Sequence, residues 1–174
     1  MDKRIFWILG GWMLVLASLS AQHQDLRFGK LDLASGLGNP MVHQVCQDLE
    51  GFIWAATGNG LYRFDGIQWR EFLHDPQDAS SLSHNHIRAL LVDQEGYIWA
   101  GTSGGGLNRI HPQTYQVTRF FHDSTNTNSL SNNEVLSLLE DQHGQLWVGT
   151  EQGLNRLNPA RNQWTRFLAD KDNP

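Results

Sequence analysis

Three aspartates at regular intervals are the residues of this sequence that most directly suggest chemistry. Asp48, Asp93 and Asp141 each begin the pattern Asp-x-x-Gly-x-x-Trp. Paired carboxylates cleave glycosidic bonds when both converge on one bond. Here each carboxylate belongs to a separate copy of a repeat and stands near a glycine, which favours a turn in which the side chain accepts backbone N–H hydrogen bonds. We therefore predict structural aspartates and no catalytic residues.

Histidine and cysteine are the next candidates, as metal ligands. The chain has eight histidines and one cysteine. His84 and His86 would point to one face of a strand, but no histidine or cysteine shows the spacing of a zinc site. Cys46 has no partner for an intrachain disulfide and lies in an apolar strand pattern, so we expect it to be buried. The sequence thus predicts no metal and no cofactor.

The elements that position these residues follow from the repeat. Asp48 and Asp93 are 45 residues apart, and Asp93 and Asp141 are 48 apart, a period typical of four-stranded propeller blades. No stretch of a unit keeps helical apolar spacing for three turns. We predict an all-β fold, an incomplete β-propeller of three four-stranded blades plus one N-terminal ring-closing strand.

Within each blade the sequence predicts an inner strand, a strand through the tryptophan, a third strand and an outer strand that ends in phenylalanine. The glycine of each aspartate turn supplies a positive φ, each tryptophan packs between blades, and the recurring arginines bridge neighbouring blades. The inner strands are Val42–Gln47, Ile87–Val92 and Val135–Glu140; the outer ends are Phe72, Phe120 and Phe167; the recurring residues are Gly51, Gly96, Gly144, Trp54, Trp99, Trp147, Arg63, Arg109 and Arg156.

The N-terminal segment has the features of an export signal. Lys3 and Arg4 precede an apolar run, which ends in small residues near Ala21. We therefore divide the chain into a signal peptide (1–21), an outer strand that closes the ring (22–35) and three blades (36–80, 81–128 and 129–174). Propellers have about four to eight blades, so the expectation is a fragment of a longer periplasmic protein.

The variable loop residues are the candidates for ligand binding. Up-and-down blade topology places the loops between blades and the turns between the second and third strands on one rim. Residues that recur in every blade are explained by structure, whereas residues that vary there are free to bind. The formal net charge of −5 argues against nucleic-acid contact, and polar, amide-rich loops suit a carbohydrate or another small polar ligand. The predicted binding residues are Asn59, His84, Ser103, Asn132, Glu151 and Gln152.

The repeat resembles a known family. The stretch from Leu138 to Leu157, with Asp-x-x-Gly-x-Leu-Trp-x-Gly-Thr-x-x-Gly-Leu-x-Arg, is similar to the two-component regulator propeller repeat. The resemblance implies a periplasmic sensor, often of glycan fragments, in a regulator anchored in the inner membrane. It also implies further blades, a membrane helix and a histidine kinase as partner domains, a homodimer, and control of a cytoplasmic phosphorelay.

Two other classes of function remain open on the sequence. One is a secreted propeller enzyme, either a lyase or a sialidase-like hydrolase, which would need a convergent catalytic set. The other is a scaffold for protein interaction or dimerisation. The coding sequence after Pro174 separates these from a sensor, because only a sensor needs a membrane helix and a kinase there.

Overall fold

The structure is a computed structural model that describes residues 36–39 and 41–169. The predicted signal peptide (1–21) and ring-closing strand (22–35) lie outside the described residues. Twelve strands make up the regular structure of the described part: β1 (Val42–Gln47), β2 (Ile53–Thr57), β3 (Gly60–Phe64), β4 (Trp69–Phe72), β5 (Ile87–Val92), β6 (Ile98–Thr102), β7 (Leu107–Ile110), β8 (Val117–Phe120), β9 (Val135–Glu140), β10 (Leu146–Thr150), β11 (Gly153–Leu157) and β12 (Trp164–Phe167). None of the residues described forms a helix long and apolar enough to cross a bilayer.

The strands form three four-stranded antiparallel sheets, each in chain order: β1 to β4, β5 to β8 and β9 to β12. We call these sheets blades 1, 2 and 3. Each first strand carries a one-residue bulge near its start, at His43, Arg88 and Leu136. The predicted inner strands are confirmed at both ends, and β4, β8 and β12 end at the predicted phenylalanines. The described blades do not close into a ring.

The hydrophobic core lies between the blades rather than inside any one of them. Trp54 of blade 1 lies in one buried cluster with Ile87 and Leu90 of blade 2 and with Leu82 of the loop that precedes blade 2. Trp99 of blade 2 packs in the same way with residues of blade 3, among them Val135. Both indoles have no exposed surface, and burial of such a ring stabilises the fold by about 2–3 kcal/mol. Stacking of neighbouring blades therefore supplies most of the apolar burial.

One polar contact also fixes the spacing between the first strands of blades 1 and 2. The side-chain amide of Gln44 donates to the Leu90 carbonyl (2.8 Å) and accepts from the Leu90 N–H (2.9 Å). The amide thus takes the place of a paired strand residue. Because both groups of the Leu90 main chain are used, β1 and β5 are held in one register where no sheet joins them.

The loops between blades are bonded to the blades on both sides. In the first such loop, Asn85 accepts through its carbonyl from Gly60 N–H (2.7 Å) and through its side chain from His74 N–H (2.6 Å), which ties the loop to blade 1. On the other side, Arg119 of β8 donates to the carbonyls of Asp78 (2.8 Å) and Ser81 (2.9 Å). Asn133 and Arg166 make equivalent contacts in the second loop.

Candidate functional site

The edge of the blades that carries the aspartate turns holds a repeated latch. Asp48 accepts from the N–H groups of Glu50 (3.0 Å) and Phe52 (2.9 Å) with one oxygen and from the Trp54 indole (2.7 Å) with the other. The same indole contact is 2.8 Å long in the pairs Asp93–Trp99 and Asp141–Trp147. Each carboxylate anchors the turn and the indole of its own blade, so these three aspartates do not converge on one another.

The turns behind the latches need glycine. Gly51, Gly96 and Gly144 have φ values of 92°, 88° and 72°, a region that disfavours residues with a β-carbon. The indole of Trp147 and nearby backbone N–H groups lower the pKa of Asp141, with the indole hydrogen bond as the largest cause. A lowered pKa keeps the carboxylate ionised, which is the form that accepts all of these hydrogen bonds.

The same edge holds a buried charge cluster that the sequence did not reveal. Arg161, in the loop between β11 and β12, donates to Glu140 (2.6 Å) and Asp93 (3.4 Å) and to the Gly144 carbonyl (3.1 Å). The side chain of Arg161 is only 7% exposed, that of Glu140 6% and that of Asp93 0%. Asp93 belongs to blade 2 and Arg161 to blade 3, so the cluster joins two blades through ion pairs.

The recurring arginines on the third strands behave differently from one another. Arg63 lies 3.8 Å over the Phe52 ring and donates to the Tyr115 hydroxyl of blade 2, so it bridges blades as predicted. Arg109 instead pairs with Glu95 (3.0 Å) and covers the Tyr97 ring (3.5 Å) in its own blade. The prediction of a bridge is wrong for Arg109, because acidic and aromatic partners are present in its own turn.

The opposite edge, the loop rim, carries the predicted ligand-binding residues. Three of the six gather around Glu134. Ser103 donates from its hydroxyl to the Glu134 carboxylate (2.7 Å), Asn132 accepts from the Glu134 N–H (2.6 Å), and the Glu151 N–H donates to the Glu134 carbonyl (3.2 Å). Glu134 itself was not predicted. It could have been noticed from its position directly before an inner strand, at the place that His86 takes in blade 2.

His84 extends this group toward blade 1. Its ring accepts at Nδ1 from the His86 N–H (3.1 Å), and the Ser103 N–H donates to the His86 carbonyl (3.0 Å). His86 in turn contacts His43 of β1, with the two Nε2 atoms 3.2 Å apart. The loop rim is therefore continuous from blade 1 to blade 3.

Asn59 and Gln152 lie at the two ends of the rim. Asn59 is exposed, and its backbone is held by the hydroxyls of Thr57 (3.1 Å) and Tyr62 (3.2 Å). Gln152 lines a cleft of about 580 Å³ together with Glu151 and Arg166. These contacts leave the side chains of both residues free of described hydrogen bonds. The group around Glu134 is therefore the part of the rim where the predicted residues converge.

Burial sets the charge state at the middle of the rim. Burial is the largest of the causes that lower the pKa of His86 below its ordinary value. Repulsion from His43, Arg88 and His84 lowers this pKa further, and Glu134 raises it in part. His86 is thus neutral at neutral pH. Within residues 36–39 and 41–169, no three His, Cys, Asp or Glu side chains converge in a way that suits a metal ion.

Four-stranded meander sheets that stack with one buried tryptophan at each interface between blades define the class of the fold: these are β-propeller blades. Residues 81–104 and 129–152 match the family described as the two component regulator propeller. The two matched segments lie in and directly before the first two strands of blades 2 and 3, and they confirm the resemblance to this repeat that the sequence indicated.

The similar proteins include a two component system and a histidine kinase. The extracellular domain of a hybrid two component system from B. thetaiotaomicron is 28% identical with a TM-score of 0.76, over 80% of this chain and 20% of that chain. Histidine kinase P4 of Formosa agariphila is 33% identical over 66 residues, which are 38% of this chain and 5% of that protein. The chain thus spans a fifth or less of the length of either relative.

Enzymes share the fold as well. Virginiamycin B lyase from Staphylococcus aureus has a TM-score of 0.54 at 16% identity, over 75% of this chain and 42% of that chain. At this level of identity the likeness concerns the architecture alone, because propellers host many unrelated functions.

Proposed function

We propose that this chain is the N-terminal part of a periplasmic sensor propeller, in a membrane-anchored two-component regulator that controls a cytoplasmic phosphorelay. The match to the two component regulator propeller supports this proposal, as do the similar hybrid two component system and histidine kinase. In this proposal the further blades, the membrane helix and the kinase belong to the rest of the parent protein, which acts as a dimer. This chain contributes a binding surface and no catalysis.

The observation that carries the proposal is the convergence of varied polar residues around Glu134 on the loop rim. A carboxylate, a hydroxyl, amides and an imidazole lie together on backbone that is fixed by the loop contacts of both neighbouring blades. Such a set can accept from and donate to the hydroxyls of a neutral sugar, and the fixed backbone lowers the cost of ordering on binding. We therefore propose a glycan or another small polar ligand.

A matched pair of variants tests the ligand site. Ser103→Ala with Glu134→Gln removes the centre of the rim, whereas Gln142→Ala with His143→Ala removes exposed polar groups on the aspartate-turn edge. In a panel of oligosaccharides scored by thermal shift, the first variant should lose any shift that the wild-type chain gives, and the second should keep it. Equal loss in both variants, or in neither, contradicts the assignment of the rim.

The sensor role has a separate test. The coding sequence past Pro174 should continue through more blades into a membrane helix and a kinase. A stop codon after ring closure, with no membrane helix, would instead favour a secreted scaffold or an enzyme. This outcome would remove the sensor role but would leave the ligand test of the rim valid.

A further inference from the structure

Two imidazoles from neighbouring blades meet at the inner end of the loop rim. His43 occupies the bulge of β1 in blade 1, and His86 stands directly before β5 of blade 2. Their Nε2 atoms are 3.2 Å apart, and the ring centres are 5.1 Å apart with the ring planes tilted by 33°. The two residues are 43 positions apart in the sequence, so no local sequence motif predicts that they meet.

We propose that His43 and His86 form a binding site for a first-row transition-metal ion such as Zn²⁺, which bridges blades 1 and 2. Zinc binds imidazole nitrogen at about 2.0–2.1 Å. Two bonds of that length to nitrogens 3.2 Å apart enclose an angle of about 100–106°, near the tetrahedral value that zinc prefers. Solvent supplies the remaining ligands, since the described residues contain no third His, Cys, Asp or Glu in position.

The backbone around the pair is fixed before any metal binds. Gln44, next to His43, exchanges two hydrogen bonds with the Leu90 main chain, and the His86 carbonyl accepts from Ser103 N–H (3.0 Å). Without metal, the close contact of the nitrogens requires one imidazole to donate and the other to accept. With metal, both imidazoles present Nε2 lone pairs and keep their protons on Nδ1, which is a change of tautomer without movement of the strands.

The imidazole nitrogens decide which kind of metal ion suits the pair. The neutral ring is the form that binds metal. Arg88, in the bulge of β5, opposes a cation here, while Glu134 partly offsets it. Borderline ions such as Zn²⁺, Cu²⁺ and Ni²⁺ suit imidazole, whereas Mg²⁺ prefers oxygen ligands. The proposal concerns these two side chains alone and does not depend on the sensor role.

Isothermal titration of the full chain with Zn²⁺, and with Mg²⁺ for comparison, tests the site. The wild-type chain should bind one equivalent of Zn²⁺ and no Mg²⁺ at this site. Loss of even an outer partner weakens metal binding by about tenfold or more, so His43→Gln and His86→Gln should each weaken Zn²⁺ binding by at least that factor. His143→Gln, an exposed histidine on the opposite edge, is the control and should bind as the wild type does.

Several results would overturn the proposal. It fails if His43→Gln binds Zn²⁺ as tightly as the wild type, or if a variant with both His43→Gln and His86→Gln does. His43 is exposed, so its replacement should leave the fold intact, and a urea unfolding curve verifies this. A test without mutation is acidification of the loaded protein to about pH 5, which should release the metal from a chain that stays folded; retention of the metal also refutes the site.

Discussion

Replacement of Asp93 by alanine should destabilise this chain more than the same change in the other two aspartate turns. Asp93 accepts from the N–H groups of Glu95 (3.1 Å) and Tyr97 (2.8 Å), from the Trp99 indole (2.8 Å) and from Arg161 (3.4 Å). It is 1% exposed, so water cannot replace these contacts. The variant would leave a buried indole N–H without its partner and would reduce the ion pairing of a buried guanidinium.

The size of the effect follows from the burial. Removal of one partner from a buried ion pair costs about 3–5 kcal/mol when the other charge is left unpaired, but Arg161 keeps Glu140 at 2.6 Å. The loss expected for Asp93→Ala is therefore about 3 kcal/mol, because it combines buried donors left without an acceptor with a weakened ion pair. Asp48 makes the same turn and indole contacts without an arginine, and an unsatisfied buried donor costs about 1–3 kcal/mol, so Asp48→Ala should cost less. The loss should be smallest for Asp141→Ala, because Trp147 is only half-buried and water can reach its indole.

Urea unfolding followed by tryptophan fluorescence measures this order, with the slope of each transition as a check on two-state behaviour. A double-mutant cycle of Asp93→Asn with Arg161→Met isolates the ion pair, because the asparagine keeps an acceptor for the turn. Equal losses for the three alanine variants, or a coupling energy of zero in the cycle, would refute the reasoning from burial and ion pairing.

Three further predictions concern single positions. Gln44→Ala removes both hydrogen bonds to the β5 main chain and should lower the free energy of unfolding in urea by about 1–3 kcal/mol. Gln47 bonds only within its own turn, so Gln47→Ala should be nearly neutral. Similar losses in the two variants would contradict a Gln44 clamp between blades. Gly106→Ala should prevent stable folding, because at φ 73° its β-carbon would lie 2.3 Å from a carbonyl oxygen of β8. The control is Gly66→Ala, whose β-carbon meets no atom within 4 Å at φ 96°, so it should cost about 1–2 kcal/mol for backbone strain alone. Equal unfolding midpoints of the two variants would disprove the clash. Cys46 is partly buried, rather than fully buried as the sequence predicted. This burial, with a smaller contribution from a nearby carboxylate, still raises the pKa of the Cys46 thiol to about 12. The thiol should therefore react with iodoacetamide at pH 8 more slowly in the folded chain than in urea, and equal rates would contradict the effect of the fold on this thiol.

The sequence predicted most of the blade architecture because each blade repeats it. The pattern Asp-x-x-Gly-x-x-Trp combines turn chemistry with a fixed distance to the next strand, so the inner strands were predicted at both ends. The aspartate turns also recur with the same indole contact in all three blades. Because this turn and its indole contact recur in all three blades, they could be predicted from one sequence.

The contacts between blades could not be read in this way. Arg161 reaches Asp93 across 68 positions, and Gln44 reaches Leu90 across 46. Neither contact recurs at the equivalent positions of the other blades, so the repeat gives no signal for them. The loop rim was predicted as a set of varied residues, but the residue at its centre, Glu134, was missed because its role depends on how the loops of blades 2 and 3 meet.

The loops between blades have a mechanical consequence. Each loop is bonded to the blade that it leaves, through Asn85 or Asn133, and to the blade that it enters, through Arg119 or Arg166. A change in the tilt of one blade against the next would strain these contacts at the outer edge while the Gln44 clamp resisted it near the inner strands of blades 1 and 2. These contacts therefore favour movement of blades 1 to 3 as one rigid body. A force applied at the loop rim would displace the three blades together and would not bend a hinge between them.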